Sequence, residues 1–224
     1  MTLEEKIKQH FIKCIKEDRD KLITKAKENF YNETPKKPQL YLFLYPNDTF
    51  SFKRKQIEYL MNHEPCLFGV GRSGIPGKFT SFGYEYSHSH SHNKSHVIFY
   101  QNGVIEVGTN SERIFDNSRN VIYTRTIATE LSTCLDDYFI YAKQIDPGAL
   151  YNVHLILETH KNYSLFEDPD IKKYKDLMHL NSNNFTESSF EDISSGGKNL
   201  ANVRKKILDS IFSSWGLPCS SCIK

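Results

Sequence analysis

Asn102-Gly103, set between the apolar runs Val97-Ile98-Phe99-Tyr100 and Val104-Ile105-Glu106-Val107, restricts the fold of this chain more than any other feature. A type I′ turn needs positive φ at both central residues, and Asn-Gly supplies them at little steric cost, so the segment reads as a β-hairpin. Phe79 to Ser87 has strand composition as well and precedes it. With His96 to Tyr100 and Val104 to Val107 as its successors, an antiparallel sheet is expected.

Helical signals lie on either side of that sheet. Thr2 and Glu5 form a capping-box pattern, and Leu3, Ile7, Phe11, Ile15, Leu22, Ala26 and Phe30 recur near helical spacing, which predicts a long amphipathic first helix closed by Pro35 and Pro38. Leu40 to Tyr45 is apolar and aromatic on both faces, as a buried central strand requires. Residues 52 to 62 predict a short helix, and 66 to 77 a glycine-rich loop. Residues 122 to 145 place Ile127, Leu131, Leu135, Tyr138, Ala142 and Ile145 on one helical face, ended by Asp146-Pro147-Gly148. Tyr151 to Glu158 alternates like a strand, with Tyr151, Val153, Leu155 and Leu157 on one side. Residues 159 to 198 are polar and read as an excursion or loop. A last helix carries Leu200, Val203, Ile207, Ile211 and Trp215.

These elements predict a single α+β domain over residues 1–224, with a mixed, mostly antiparallel sheet packed against two or three long helices. The length supports a core of its own, and 15 Phe with 13 Tyr offset an apolar content of 38%. With 29 basic against 27 acidic residues the net charge of +2 gives no field to recruit nucleic acid. Small basic clusters, such as Lys53-Arg54-Lys55 and Arg204-Lys205-Lys206, have acidic neighbours. No run approaches the roughly 20 apolar residues that cross a bilayer, so no membrane partner and a cytoplasmic location are expected. The scattered cysteines, at 14, 66, 134, 219 and 222, read as reduced thiols.

Candidate sites are few. His88-Ser89-His90-Ser91-His92-Asn93-Lys94-Ser95-His96 would, if extended, put His88, His90, His92 and His96 on one side, where imidazoles bind Zn²⁺ or another divalent metal. Consecutive same-face residues lie about 7 Å apart, however, so one ion needs the segment to bend, and a solvated Ser/His loop is the alternative. Cys219-Ser220-Ser221-Cys222 has redox-pair spacing but neither a following helix nor a second pair. Gly69-Val70-Gly71-Arg72-Ser73-Gly74 matches the dinucleotide-binding pattern, yet Pro76 and Gly77 interrupt the helix that would hold a pyrophosphate. The loop still offers amides and Arg72 to an anion. Arg72, Tyr86, Glu106 and His154 are the ligand-contacting candidates. No nucleophile elbow or P-loop is present, and no catalytic residue is assigned.

The hairpin Val97 to Glu106, the long helix, Pro147-Gly148 before an apolar strand, and the closing helix from Val203-Arg204 to Ser214-Trp215-Gly216 together resemble the C-terminal portion of bacterial proteins that begin with a Schlafen/AlbA-type DNA-binding domain. The resemblance covers roughly residues 65–218 and implies a sensor or interaction module. It carries over no catalytic residue, and no such N-terminal domain falls within these residues. The expectation is therefore a regulatory or ligand-sensing domain for a small ligand or protein partner, needing no cofactor, with loops 66–78 and 87–96 as recognition surface. The alternatives are a metal-dependent hydrolase or nuclease using the histidines with Glu106 or Glu158, and an interaction subunit pairing through its first helix with a partner or a second copy.

Overall fold

The computed structural model describes residues 21, 37–46, 54–81, 83–90, 93–100, 103–145, 150–159, 163–166, 185–194 and 200–214. Apart from Lys21, the expected first helix lies outside them, as do His92, Asn102 and the Cys219/Cys222 tail. The described strands are β1 (Gln39–Pro46), β2 (Lys78–Phe79), β3 (Gly83–His90), β4 (Asn93–Tyr100), β5 (Ile105–Thr109), β6 (Phe115–Asp116), β7 (Val121–Tyr123), β8 (Leu150–Glu158), β9 (Ser164–Phe166) and β10 (Phe185–Ser194). The helices are α1 (Arg54–Asn62), α2 (Thr124–Ile145) and α3 (Leu200–Ser214).

Seven strands form one sheet in the order β10-β8-β1-β5-β4-β3-β2, and every pairing in it is antiparallel. A small second sheet, β6-β7-β9, contains a parallel pair, β7 with β9. The fold is thus α+β with a mostly antiparallel sheet. β1 is an interior strand because its side chains are apolar on both faces, and every residue from Gln39 to Pro46 is buried. Leu40, Leu42 and Leu44 join the first face, whose core takes in Ile127, Leu131, Leu135 and Tyr138 of α2 and Val203, Ile207 and Ile211 of α3. Each such aliphatic side chain, fully buried, contributes about 1.5–3 kcal/mol. Tyr41, Phe43 and Tyr45 point the other way, into a smaller cluster with Tyr100, Val104 and Ile156.

The β4–β5 hairpin forms as expected, with Asn102 of its turn outside the described residues. Phe99 pairs with Ile105, and Tyr100 N–H donates to Val104 O at 2.9 Å. Gly103, at φ 85°, has the left-handed backbone that glycine adopts readily, and it donates to Tyr100 O at 2.9 Å.

Other boundaries shift for local reasons. The strand expected over Phe79 to Ser87 is split between β2 and β3 by a turn in which Thr80 N–H bonds Gly83 O at 2.9 Å and Gly83 N–H returns to Thr80 Oγ1 at 3.1 Å. Residues 87–96, expected as a recognition loop, are strand through His90 and again from Asn93, because side chains of either polarity fit a ladder held by backbone bonds. Residues 122–123 belong to β7, which runs directly into α2. The polar stretch 159–198 supplies β9 and β10. β10 is an edge strand, where polar residues are ordinary, and it pairs with β8 from Phe185 to Ser194 across an irregularity between Phe190 and Ile193.

Candidate functional site

Two buried polar centres occupy opposite faces of the large sheet. On the second face, His96 of β4 and Glu106 of β5 stand close because Ile98 pairs with Glu106 and His96 with Gly108. His96 Nε2 lies 2.9 Å from Glu106 Oε1, and Tyr100 Oη donates to Glu106 Oε2 at 2.5 Å. Tyr41 packs its ring 6.4 Å from that of His96 and donates its hydroxyl to Gln39 Oε1 at 3.0 Å. Burial, reinforced by the Glu106 charge, pushes the Tyr41 and Tyr100 phenols well above their ordinary range, so both remain protonated donors. Glu106 is buried, and both of its oxygens are engaged by side chains of its own sheet.

On the first face the glycine-rich loop is clipped onto α2. Leu67 and Gly71 exchange backbone bonds at 2.9 and 2.8 Å, and Gly69, at φ 76°, turns its N–H toward Glu130 Oε2 at 3.0 Å. Any Cβ at Gly69 would stand 2.7 Å from Ser111 Cβ, so both its handedness and its space call for glycine. Cys66 N–H donates to Asp137 Oδ2 at 3.0 Å, and Glu64 accepts the N–H groups of Ser73 and Gly74. Ser95 Oγ and Ser111 Oγ donate to Phe68 O and Gly69 O, each at 2.8 Å.

The resemblance of this loop to a dinucleotide-binding turn is thereby resolved. The amides that such a turn offers to phosphate are taken here by the chain's own carboxylates, those of Glu64, Glu130 and Asp137. Their positions on α2 follow helical geometry. Glu130, Cys134 and Tyr138 are spaced four apart on one face, while Asp137 lies one turn beyond Cys134.

This arrangement gathers Cys66, Glu130 and Cys134, all buried, with their ligand atoms within 4.8 Å of one another. Among the described residues it is the one group of three or more histidine, cysteine, aspartate or glutamate side chains close enough to share an ion. Cys134 Sγ lies 3.8 Å from Glu130 Oε2, and Tyr138 Oη donates to Cys66 O at 2.7 Å. The hydrogen bond from Cys134 holds the Cys66 thiol below its usual range. The same bond, together with burial, pushes Cys134 far up. At the rim, exposed Arg72 pairs with Asp137 at 3.3 Å, and exposed Arg113 stands 3.8 Å from Glu130 Oε1.

The structure separates the ligand-contacting candidates. Arg72 borders the loop centre. Tyr86 is buried on the same side of the sheet, and its hydroxyl clasps Leu60 O at the end of α1. Glu106 and His154 face the other way, and Phe43 stands between them, paired with both. The histidines are divided too. His88 pairs with Ser95 and His90 with Asn93, which puts them on the face opposite His96, whose partner is Ser87. His88 and His90 thus share no ion with His96 in this fold.

Comparison with protein-family models, curated proteins and solved structures gave no match to this chain. Among the described residues, no helix is long and apolar enough to cross a membrane.

Proposed function

We propose that this chain is a regulatory, ligand-sensing domain, and that its sensing element is the loop Cys66–Gly74 with the facing side chains of α2. The observation that carries the reading is the convergence of Cys66, Glu130 and Cys134 in a cluster of buried ligand atoms, two of them thiol sulfurs. The loop is held there by hydrogen bonds from three sides, so a change in what Glu130 or the thiols bind acts directly on the loop backbone. Arg72 and Arg113, exposed at the rim, would carry such a change to the surface. The likeness of residues 65–218 to the C-terminal portion of Schlafen/AlbA-associated proteins supports a sensor or interaction role.

The test is a thermal-shift survey of the reduced chain against metal ions, thiol-reactive electrophiles, nucleotides and small anions, repeated with Cys66→Ser. A true ligand at about 100 Kd raises Tm by roughly 5–10 °C in a domain of this size. The expected result is one class that stabilises the natural chain and not the variant. Stabilisation that is equal in both chains, or absent for every class, overturns the reading.

A further inference from the structure

We propose that Cys66, Glu130 and Cys134 bind a thiophilic divalent cation of the Zn²⁺ class, leaving a fourth position for water or a small ligand. This rests on the sensing reading above and names its ligand. Tetrahedral zinc holds sulfur at about 2.3 Å and carboxylate oxygen at about 2.0–2.2 Å, so its ligand atoms stand roughly 3.5–3.8 Å from one another. Cys134 Sγ and Glu130 Oε2 are already 3.8 Å apart, and all three ligand atoms fall within 4.8 Å. Small side-chain rotations, without backbone movement, complete three corners of the shell.

The supports that a metal site needs are also present. Ligand groups keep their orientation through outer hydrogen bonds, and here Gly69 N–H fixes the Glu130 carboxylate while Asp137 and Tyr138 fix the backbone of Cys66 on both sides. Charge closes as well. Two thiolates and a carboxylate bring three negative charges, of which a divalent cation neutralises two and Arg113, 3.8 Å from Glu130 Oε1, offsets the third. Two sulfurs and one oxygen select against Mg²⁺ and Ca²⁺, which take oxygen ligands. The remaining cysteines, at 14, 219 and 222, lie outside the described residues.

The full chain, reduced with a phosphine and freed of metal, is titrated with Co²⁺ and then Zn²⁺. A single Co²⁺ per chain is expected, with the near-ultraviolet thiolate charge-transfer band and the visible bands of tetrahedral cobalt, both erased by zinc. Cys66→Ser and Cys134→Ala abolish the bands, Glu130→Gln weakens binding by about tenfold or more, and the triple variant C14S/C219S/C222S leaves it intact. Circular dichroism establishes that each variant is folded, and Glu130→Gln, nearly isosteric, decides if a cysteine variant is not. Binding that is absent in the folded natural chain, survives in folded Cys66→Ser, or disappears in the triple variant overturns the metal assignment. If another ligand class still stabilises the natural chain but not Cys66→Ser, the sensing reading survives that failure. If none does, both fall.

Discussion

Glu106 and Glu130 are both buried glutamates in the middle of regular elements, one on each side of the same sheet, and they are held in opposite ways. Glu106 is bonded by His96 and Tyr100, side chains fixed by adjacent positions of one rigid ladder, and its oxygens are both occupied at hydrogen-bond distance. Glu130 takes one backbone N–H from a loop, and its other close neighbours are a thiol at 3.8 Å and an exposed guanidinium at 3.8 Å. Glu106 thus takes its bonds from two side chains of its own sheet, and Glu130 from a loop amide, a thiol and a guanidinium of three separate segments. Burial alone does not mark a functional acid. What distinguishes the two is whether their partners come from one ladder or from a loop and a helix brought together by tertiary packing.

The contrast is sharpest in stability. Glu106→Ala removes the acceptor shared by the His96 ring nitrogen and the buried Tyr100 hydroxyl, and loss of one partner from a buried network costs about 3–5 kcal/mol. Urea denaturation should show that loss, whereas Glu130→Gln, which keeps an oxygen for Gly69 N–H, should cost only about 1 kcal/mol in metal-free protein. Equal costs would erase the distinction. Gly108→Ala falls between them. Its Cβ would stand 2.3 Å from His96 Cε1, so the ring must leave Glu106, and overpacking of this kind costs about 1–3 kcal/mol. Nitrogen chemical shifts of the His96 ring should report the broken bond; an unchanged spectrum would mean that the dyad tolerates displacement and is not the closed network described.

Much of the large sheet was legible from side-chain pattern, and the reasons for the exceptions are physical. β1, the β4–β5 hairpin and β8 declared themselves through apolar runs, alternation and one glycine, since each buries at least one face. β10 did not, because an edge strand is recruited by backbone hydrogen bonds to β8 and needs no apolar signature. The histidine repeat misled in the same way: a period of two was read along one strand, whereas the hairpin crosses over between His90 and His96 and reverses the face. Strand pattern alone does not say that Glu106 and His154 share a face with Phe43 between them, because that follows from the order β5-β1-β8. The thiol centre passed unnoticed because Cys66 and Cys134 belong to elements that meet only through tertiary packing. One signal was available. Glu130 and Cys134 sit four residues apart, beside Ile127 and Leu131 on the face of α2 that had to be buried, and a glutamate in that position needs a partner from elsewhere in the fold.

The smallest predicted effect tests the same contrast through its dependence on salt. Arg113 is exposed and reaches Glu130 Oε1 at 3.8 Å, so Arg113→Ala should cost about 0.2–1 kcal/mol at low ionic strength. At about 1 M salt the screening length falls to roughly 3 Å, and that cost should vanish. His96 approaches Glu106 at 2.9 Å with both side chains mostly buried, where salt screens less, so the cost of His96→Ala should change much less between the two salt concentrations. Paired urea curves for the two variants at low and high salt measure the difference directly. A salt-sensitive His96→Ala would show that solvent enters the Glu106 network. A salt-insensitive Arg113→Ala would show instead that Glu130 is as enclosed as Glu106, with no open side from which a ligand could approach its carboxylate.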